Sequence, residues 1–233
     1  MKIQKKIFEH KAAVADAFAE FLANEIHQSE QFNLALSGGS TPQILFDVLA
    51  NDYAEKIDWA KVHLYWGDER CVAPDDPESN YGMTYERLIK KVAIPKENVW
   101  RVKGEEDPQA EANRYGKRIE WNLLLKDDLP IFDLVILGMG GDGHTASIFP
   151  HQIELLEIDK TCAVATHPDS GQRRITLTGR VINAAQQIHF LVTGASKQSV
   201  VREIFNKEGN YKNYPAAYIQ NATWWMDEAA GKF

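Results

Sequence analysis

The sequence predicts an α/β fold in which helices flank a mainly parallel β-sheet. Short apolar segments alternate along the chain with segments of helical period, which is the pattern of βαβ units. The apolar run that ends at Leu137 leads directly into a glycine-rich turn, as a buried strand does at the ligand-binding edge of an open sheet. No repeat, low-complexity tract or linker divides residues 1–233, so we expect a single domain.

The predicted elements follow from the spacing of apolar residues and from turn residues. Apolar residues at helical spacing predict a helix over residues 11–28, and Thr41 and Pro42 are predicted to cap and start the next one. The other predicted helices cover residues 81–91 and 108–126 and a stretch ending near Phe205. The predicted strands and apolar segments are 32–36, 62–66, the run ending at Leu137, 163–165, 175–177 and 189–192, and 73–80 is predicted to be loop.

The composition limits the classes of function. With 26 Lys and Arg against 33 Asp and Glu, the net charge of −7 argues against nucleic acid as the main partner. An anionic substrate stays possible, because a local cluster of basic side chains reverses the field within one cleft. The two cysteines fit a cytoplasmic protein without disulfides. The N-terminus resembles no signal peptide and no apolar stretch has the length of a membrane span, so we expect no membrane partner.

Polar clusters follow four of the predicted strands. They cover residues 37–41, 68–70, 138–144 and 193–197. Because the carboxyl ends of parallel strands meet at one edge of a sheet, we expect these clusters to converge. The first of them opens a helix, whose free amide groups suit a phosphate. Taken alone, that segment fits an ordinary glycine turn with a helix cap equally well.

His144 is the candidate general base. Asp142 lies two residues before it, where a carboxylate can set the tautomer and basicity of the ring, and imidazole titrates near neutral pH. The alternative is a histidine that only caps a turn. Residues 138–143 also match the dinucleotide pattern G-x-G-x-x-G, but the acidic residue expected about 20 positions further on is missing, so we discount a dinucleotide.

Three basic residues are candidates for binding an anion. Arg70 follows a predicted strand, which favours an anion-binding or oxyanion-stabilising role. Arg174 precedes an apolar segment and Lys197 opens a helical one. The alternative for each of the three is an ordinary exposed charge on the surface. Arg173 takes the place of Arg174 as the candidate if the strand register shifts by one residue.

Taken in order, these motifs resemble the 6-phosphogluconolactonase family. The segments that carry the resemblance are Ser37–Pro42, Gly67–Arg70, Asp75–Met83, Gly138–Pro150 and Arg174–Thr178. The resemblance implies a Rossmann-like α/β fold shared with glucosamine-6-phosphate deaminases, ribose-5-phosphate isomerases and CoA transferases. It also implies hydrolysis of 6-phospho-D-glucono-1,5-lactone in the oxidative pentose phosphate pathway, without a metal or a cofactor.

The resemblance also assigns residues. It implies that His144, oriented by Asp142, is the general base, and Arg70 is our first choice to stabilise the oxyanion. The implied substrate- and phosphate-binding residues are Ser37, Gly38, Gly39, Ser40, Thr41, Asp68, Arg174 and Lys197. Which basic residue meets the phosphate stays open, Arg180 is an unassigned charge, and we expect a monomer or a weak homodimer.

Two other functions compete with this interpretation. Glucosamine-6-phosphate deaminases of similar sequence are expected to carry a glutamate before the proline that follows the Asp-Gly-His segment, whereas this chain has Phe149 before Pro150. A non-catalytic sugar-phosphate sensor would need an output module such as a helix-turn-helix, and the sequence contains no basic helical extension.

Overall fold

A computed structural model describes residues 4–233. Its strands are β1 (Gln4–Phe8), β2 (Phe32–Leu36), β3 (Val62–Trp66), β4 (Asp68–Arg70), β5 (Leu125–Lys126), β6 (Leu129–Pro130), β7 (Leu134–Leu137), β8 (Cys162–Thr166), β9 (Arg173–Leu177), β10 (Gln187–Val192) and β11 (Thr223–Asp227). Its α-helices are α1 (Lys11–His27), α2 (Ser40–Asp52), α3 (Asn80–Arg87), α4 (Pro108–Asn122), α5 (Gly179–Ala184), α6 (Gln198–Asn206) and α7 (Glu228–Gly231). None of the helices in this described range is long and apolar enough to cross a membrane.

The main sheet has six strands in the order β1-β11-β10-β7-β2-β3, and every neighbouring pair is parallel. The predicted α/β fold with a mainly parallel sheet is therefore confirmed. From β2 the chain continues to β3 on one side of the sheet, and from β7 it continues through β10 to β11 on the other. The order of strands thus reverses between β2 and β7, and open α/β sheets bind ligands in the crevice that such a reversal creates.

The core is formed by the main sheet and the helices packed on it. All four residues of β7 are buried, as expected for a parallel strand covered on both faces. Helix α1 buries one face that includes Val14, Phe18 and Leu22, and the His10 side chain caps its N-terminus by accepting a hydrogen bond from the Ala13 amide at 3.1 Å. The predicted helix over residues 11–28 therefore lies where its spacing placed it.

A second, three-stranded sheet in the order β4-β9-β8 is antiparallel. The segments at 163–165 and 175–177 belong to this sheet and not to the parallel one. Only residues 167–172 join β8 to β9, whereas a parallel crossover requires a dozen or more residues. The short connection therefore forces a hairpin, and β9 pairs with β4 on its other side.

Several predicted boundaries were wrong. Gly39, and not Thr41, is the N-cap of α2, so Pro42 lies inside the first turn, where its missing N–H costs no hydrogen bond. Helix α3 ends at Arg87 and a separate 3₁₀ turn covers 89–91. Helix α4 ends at Asn122 because Leu125 and Lys126 pair with β6. The edge strand β1 and its neighbour β11 were not predicted.

Candidate active site

The polar clusters that follow the strands meet around one cleft of about 260 Å³ at the reversal between β2 and β7. The predicted residues that line it are Ser37, Gly38, Gly39, Ser40, Thr41, Asp68, Arg70, His144, Arg174 and Lys197. Asp142 does not line the cleft, but its side chain is hydrogen-bonded to His144, which lines it. The expected convergence of distant segments on one sheet edge is therefore what the fold produces.

The turn after β7 holds a paired histidine and aspartate. Asp142 Oδ1 lies 2.6 Å from His144 Nδ1 and accepts a hydrogen bond from the His144 amide at 3.2 Å. A neutral ring bonded in this way carries its proton on Nδ1, which leaves Nε2 free to accept a proton. Gly140 makes the arrangement possible, because a Cβ at that position would lie 2.2 Å from His144 Nδ1 and 2.4 Å from Asp142 Oδ1.

The electrostatics of this pair favour the ionised aspartate. Burial alone would raise the pKa of Asp142, but the hydrogen bond and the charge of His144 outweigh it and lower that pKa to about 2. The carboxylate is therefore charged at any pH near neutrality and stabilises a positive charge that develops on the ring. The Asp142 side chain is 42% exposed and the His144 side chain is 25% exposed, so substrate and water can reach the histidine.

Phe149 packs against the histidine. Its buried ring lies 4.7 Å from the His144 ring, centroid to centroid, and the Arg174 guanidinium lies 5.5 Å from the Phe149 centroid on a cation–π contact. The same phenyl ring therefore packs against the histidine and the arginine and limits the movement of both.

Two arginines lie side by side on the small antiparallel sheet. The register of β4 and β9 pairs Arg70 directly with Arg174. Arg70 Nη1 donates to the Glu78 carbonyl at 2.6 Å, and Arg174 Nε donates to Gln172 Oε1 at 3.2 Å. Burial, together with the charge of Arg70, lowers the pKa of Arg174. Two neighbouring guanidinium groups, one of them buried, form a site that an anion would stabilise.

The structure decides between the two consecutive arginines of β9. Arg174 is 9% exposed and lines the cleft, whereas Arg173 is exposed. Successive residues of a strand point to opposite faces, so only one of the two can face the cleft. Arg180 lies elsewhere and forms an ion pair with the exposed Asp159.

The turn expected to hold a phosphate, at 37–41, is linked to the turn that precedes Lys197. The hydroxyl of Thr41, in the first turn of α2, lies 2.7 Å from the hydroxyl of Thr193, which follows β10. Gly39 has φ of +103° and Gly194 has φ of +96°, conformations that L side chains rarely adopt. Thr41 and Thr193 both line the cleft, so the two turns meet there.

Asp227 holds the second of these turns and was missed by sequence reasoning. Its carboxylate accepts the Gly194 amide at 2.9 and 3.0 Å and caps α7 by accepting the Ala230 amide at 2.9 Å. It ends β11, a strand that the sequence pattern did not predict, so no signal placed it near Lys197.

Glu69 is the second residue that sequence reasoning missed. Its buried carboxylate accepts the backbone amides of Arg70 at 2.8 Å, Asn80 at 2.8 Å and Tyr81 at 2.7 Å, and the Ser79 hydroxyl at 3.1 Å. Burial raises the pKa of Glu69 even though these amides oppose the shift. The carboxylate fastens the loop before α3 to β4, next to Arg70.

Asp68 lies on the wall of the cleft. It is 6% exposed, and its Oδ2 accepts the Ser147 hydroxyl at 2.6 Å. In the described residues 4–233, no group of three or more His, Cys, Asp or Glu side chains is arranged to hold a metal ion. The cleft therefore offers one imidazole base, paired cationic side chains and a few acceptor oxygens.

Residues 8–226 match the family described as glucosamine-6-phosphate isomerases/6-phosphogluconolactonase. The 6-phosphogluconolactonase of Treponema pallidum is 39% identical over 229 residues, which cover 98% of this chain and 92% of that protein. The 6-phosphogluconolactonase structure from Trypanosoma brucei superposes with a TM-score of 0.86 at 27% identity and covers 99% of this chain and 98% of that one. A monomeric glucosamine-6-phosphate deaminase gives a TM-score of 0.83 at 21% identity, covering 99% and 98% of the two chains, which shows a shared fold.

Proposed function

This chain belongs to the glucosamine-6-phosphate isomerase/6-phosphogluconolactonase family, and we propose that it hydrolyses 6-phosphogluconolactone to 6-phosphogluconate in the pentose phosphate pathway. The supporting observation in the structure is the Asp142–His144 pair on a cleft that also contains two adjacent arginines. A base beside an anion-binding surface suits the hydrolysis of an ester ring that carries a phosphate.

The chemical step is assigned to His144. Its Nε2 takes a proton from a water molecule as the water oxygen bonds to the lactone carbonyl carbon. Asp142 holds the Nδ1 proton and stabilises the imidazolium that results. The carbonyl oxygen becomes an oxyanion, for which Arg70 is the assigned donor. When the intermediate collapses, the ring C–O bond breaks, the imidazolium returns its proton to the ring oxygen, and the new carboxylic acid ionises.

The phosphate is assigned to a different set of residues that line the same cleft. They are Arg174, Lys197 and the turn at 37–41, whose free amide groups at the start of α2 add to the two cationic side chains. Holding the remote phosphate positions the carbonyl against the base, so binding energy is used for orientation.

Phe149 argues against the deaminase alternative. The place beside His144 is filled by a buried phenyl ring, which cannot exchange a proton or polarise the imidazole. Release of ammonia from glucosamine 6-phosphate would favour the deaminase over the lactonase.

Two substitutions test the assignment with lactone generated freshly and followed by pH-stat. His144→Ala should lower kcat by about 10²- to 10⁴-fold with little change in KM, because the base acts on the water and not on the phosphate. Lys197→Ala should mainly raise KM. His27→Ala is the matched control, since that histidine is exposed at the end of α1. Unchanged turnover in His144→Ala would reject the assignment.

The remaining expectations stay predictions. They are one domain over residues 1–233, a cytoplasmic location, a monomer or weak homodimer, and the absence of nucleic-acid and membrane partners. Size-exclusion chromatography with light scattering, at micromolar and millimolar protein, measures the oligomeric state.

A further inference from the structure

Asn80 lines the cleft and is absent from the residues assigned above. It is the first residue of α3 and is only 3% exposed. Its amide is held by the buried Glu69 carboxylate, and its carbonyl accepts the Thr84 hydroxyl at 2.8 Å. The backbone of Asn80 is therefore fixed before any ligand binds.

The orientation of the Asn80 side chain is determined by one hydrogen bond. Nδ2 lies 3.0 Å from the Asp68 backbone carbonyl oxygen, which only accepts hydrogen bonds, so this atom must be the nitrogen. The oxygen Oδ1 consequently lies on the other side, against Gly38, where a Cβ would approach it to 1.9 Å. Gly38 thus leaves the space that the amide oxygen occupies.

Asn80 Oδ1 has no donor among the described residues 4–233. Within that range, two side-chain polar atoms are closed to solvent and lack a hydrogen-bond partner, namely Trp66 Nε1 and Arg70 Nε. Asn80 Oδ1 is not one of them, so it is open to solvent. Since the residue is only 3% exposed and lines the cleft, the oxygen is reached through the cleft. Asp68 is similar, because Ser147 occupies its Oδ2 and leaves Oδ1 open.

We propose that Asn80 Oδ1, with Asp68 Oδ1, accepts hydrogen bonds from ring hydroxyl groups of the sugar, and that Asn80 thereby determines which lactones are hydrolysed. This inference rests on the proposed function. Acceptor oxygens such as these complement hydroxyl donors, whereas the phosphate and the oxyanion need the cationic groups of the same cleft, such as Arg70 and Arg174. A site built to bond a hydroxyl rejects the analogue that lacks it, because the buried acceptor then stays unpaired.

The test compares 6-phosphogluconolactone with its 2-deoxy, 3-deoxy and 4-deoxy analogues. The wild-type protein should prefer the parent lactone over at least one analogue by about tenfold or more in kcat/KM. In Asn80→Ala that preference should fall to about threefold or less, because the acceptor is gone. Asn80→Asp keeps an acceptor oxygen and should keep the preference, although its kcat/KM for the parent falls with loss of the Nδ2 bond.

Asn98→Ala is the matched control. Asn98 is a buried asparagine whose Nδ2 donates to the Ala60 carbonyl at 3.0 Å, outside the cleft, so its removal costs a bond of the same type. It should leave the preference unchanged. Urea unfolding of each variant identifies loss of folding, which lowers the rate for all lactones equally.

The outcomes separate the two proposals. If wild-type protein does not hydrolyse the parent lactone, the proposed function fails. If it does, but it hydrolyses all three analogues as well as the parent, or Asn80→Ala slows parent and analogues by the same factor, the role of Asn80 is rejected.

Discussion

Two pairs of functional side chains at the cleft are built in different ways. Asp142 and His144 are two residues apart in one turn, and their side chains are partly exposed. Arg70 and Arg174 belong to different strands and meet through the register of a small sheet, with Arg174 buried. The comparison shows that the acid–base group is made by local chain geometry, whereas the anion-binding group depends on the assembled fold.

The electrostatics of the two pairs are opposite. Attraction to His144 lowers the pKa of Asp142 to about 2 and stabilises its charge. Burial and the neighbouring Arg70 lower the pKa of Arg174, which means that its charge is disfavoured in the free protein. The first pair is complete without a ligand, and the second pair is completed by an anion.

Among substitutions of the residues around the base and the arginines, Asp142→Asn is expected to give the largest effect after His144→Ala. Without the carboxylate the imidazolium loses its partner, so kcat should fall by about 10²-fold while KM changes little. Initial rates over a range of lactone concentrations measure both parameters. Asp169→Asn, at an exposed position, is the control and should leave kcat unchanged. A rise in KM without loss of kcat would contradict the assigned role.

The same variant has a pH signature in stability. The folded pKa of Asp142 lies below its ordinary value of 3.8, so the stabilisation is present above pH 4 and is lost as pH falls through about 2. The difference between wild type and Asp142→Asn in urea midpoint should therefore shrink between pH 4 and pH 2. A difference that grows over this interval would show that the carboxylate is not stabilised by His144.

Arg174→Gln tests the pair that depends on the fold. Loss of a charge-assisted contact to an anion should raise KM by about 10- to 100-fold and change kcat much less. Arg173→Gln removes the same charge from the adjacent, exposed position and should change KM by less than about twofold. Inorganic phosphate should also raise the thermal midpoint of wild type more than that of Arg174→Gln. A larger effect of Arg173→Gln would place the anion on the other face of β9.

Asp227→Asn should give the smallest of these effects. Its oxygen still accepts the Gly194 amide, but the bond loses its charge, so the turn before Lys197 loosens. KM should rise about threefold, and the free energy of unfolding should fall by about 1 kcal/mol. The control is Glu228→Gln, because Glu228 follows Asp227 and forms an exposed ion pair with Lys232. It should change KM and the free energy of unfolding much less. Equal effects of the two variants would remove Asp227 from the support of the phosphate site.

Parts of the fold that depend on non-local pairing were not predictable from the sequence. The apolar run 134–137 and the helix over 11–28 have clear periodicity, and both lie close to where it placed them. The edge strand β1 has the sequence Gln-Lys-Lys-Ile-Phe, which shows little of the apolar pattern of a strand. It is a strand because its backbone pairs with β11. Trp224 and Trp225 of β11 are both buried, and the Trp224 ring stacks on the Phe190 ring at 4.1 Å between centroids.

The sequence by itself determined the parallel sheet, the edge on which its polar clusters meet, and the pairing of His144 with Asp142. These depend on hydrophobic period, on glycine and on contacts two residues apart, all of which short segments encode. Only the tertiary structure decided that Arg174 and not Arg173 faces the cleft, and that Glu69, Asn80 and Asp227 support it. Those outcomes depend on strand register and on hydrogen bonds between distant segments, whose partners become neighbours only when the chain has folded.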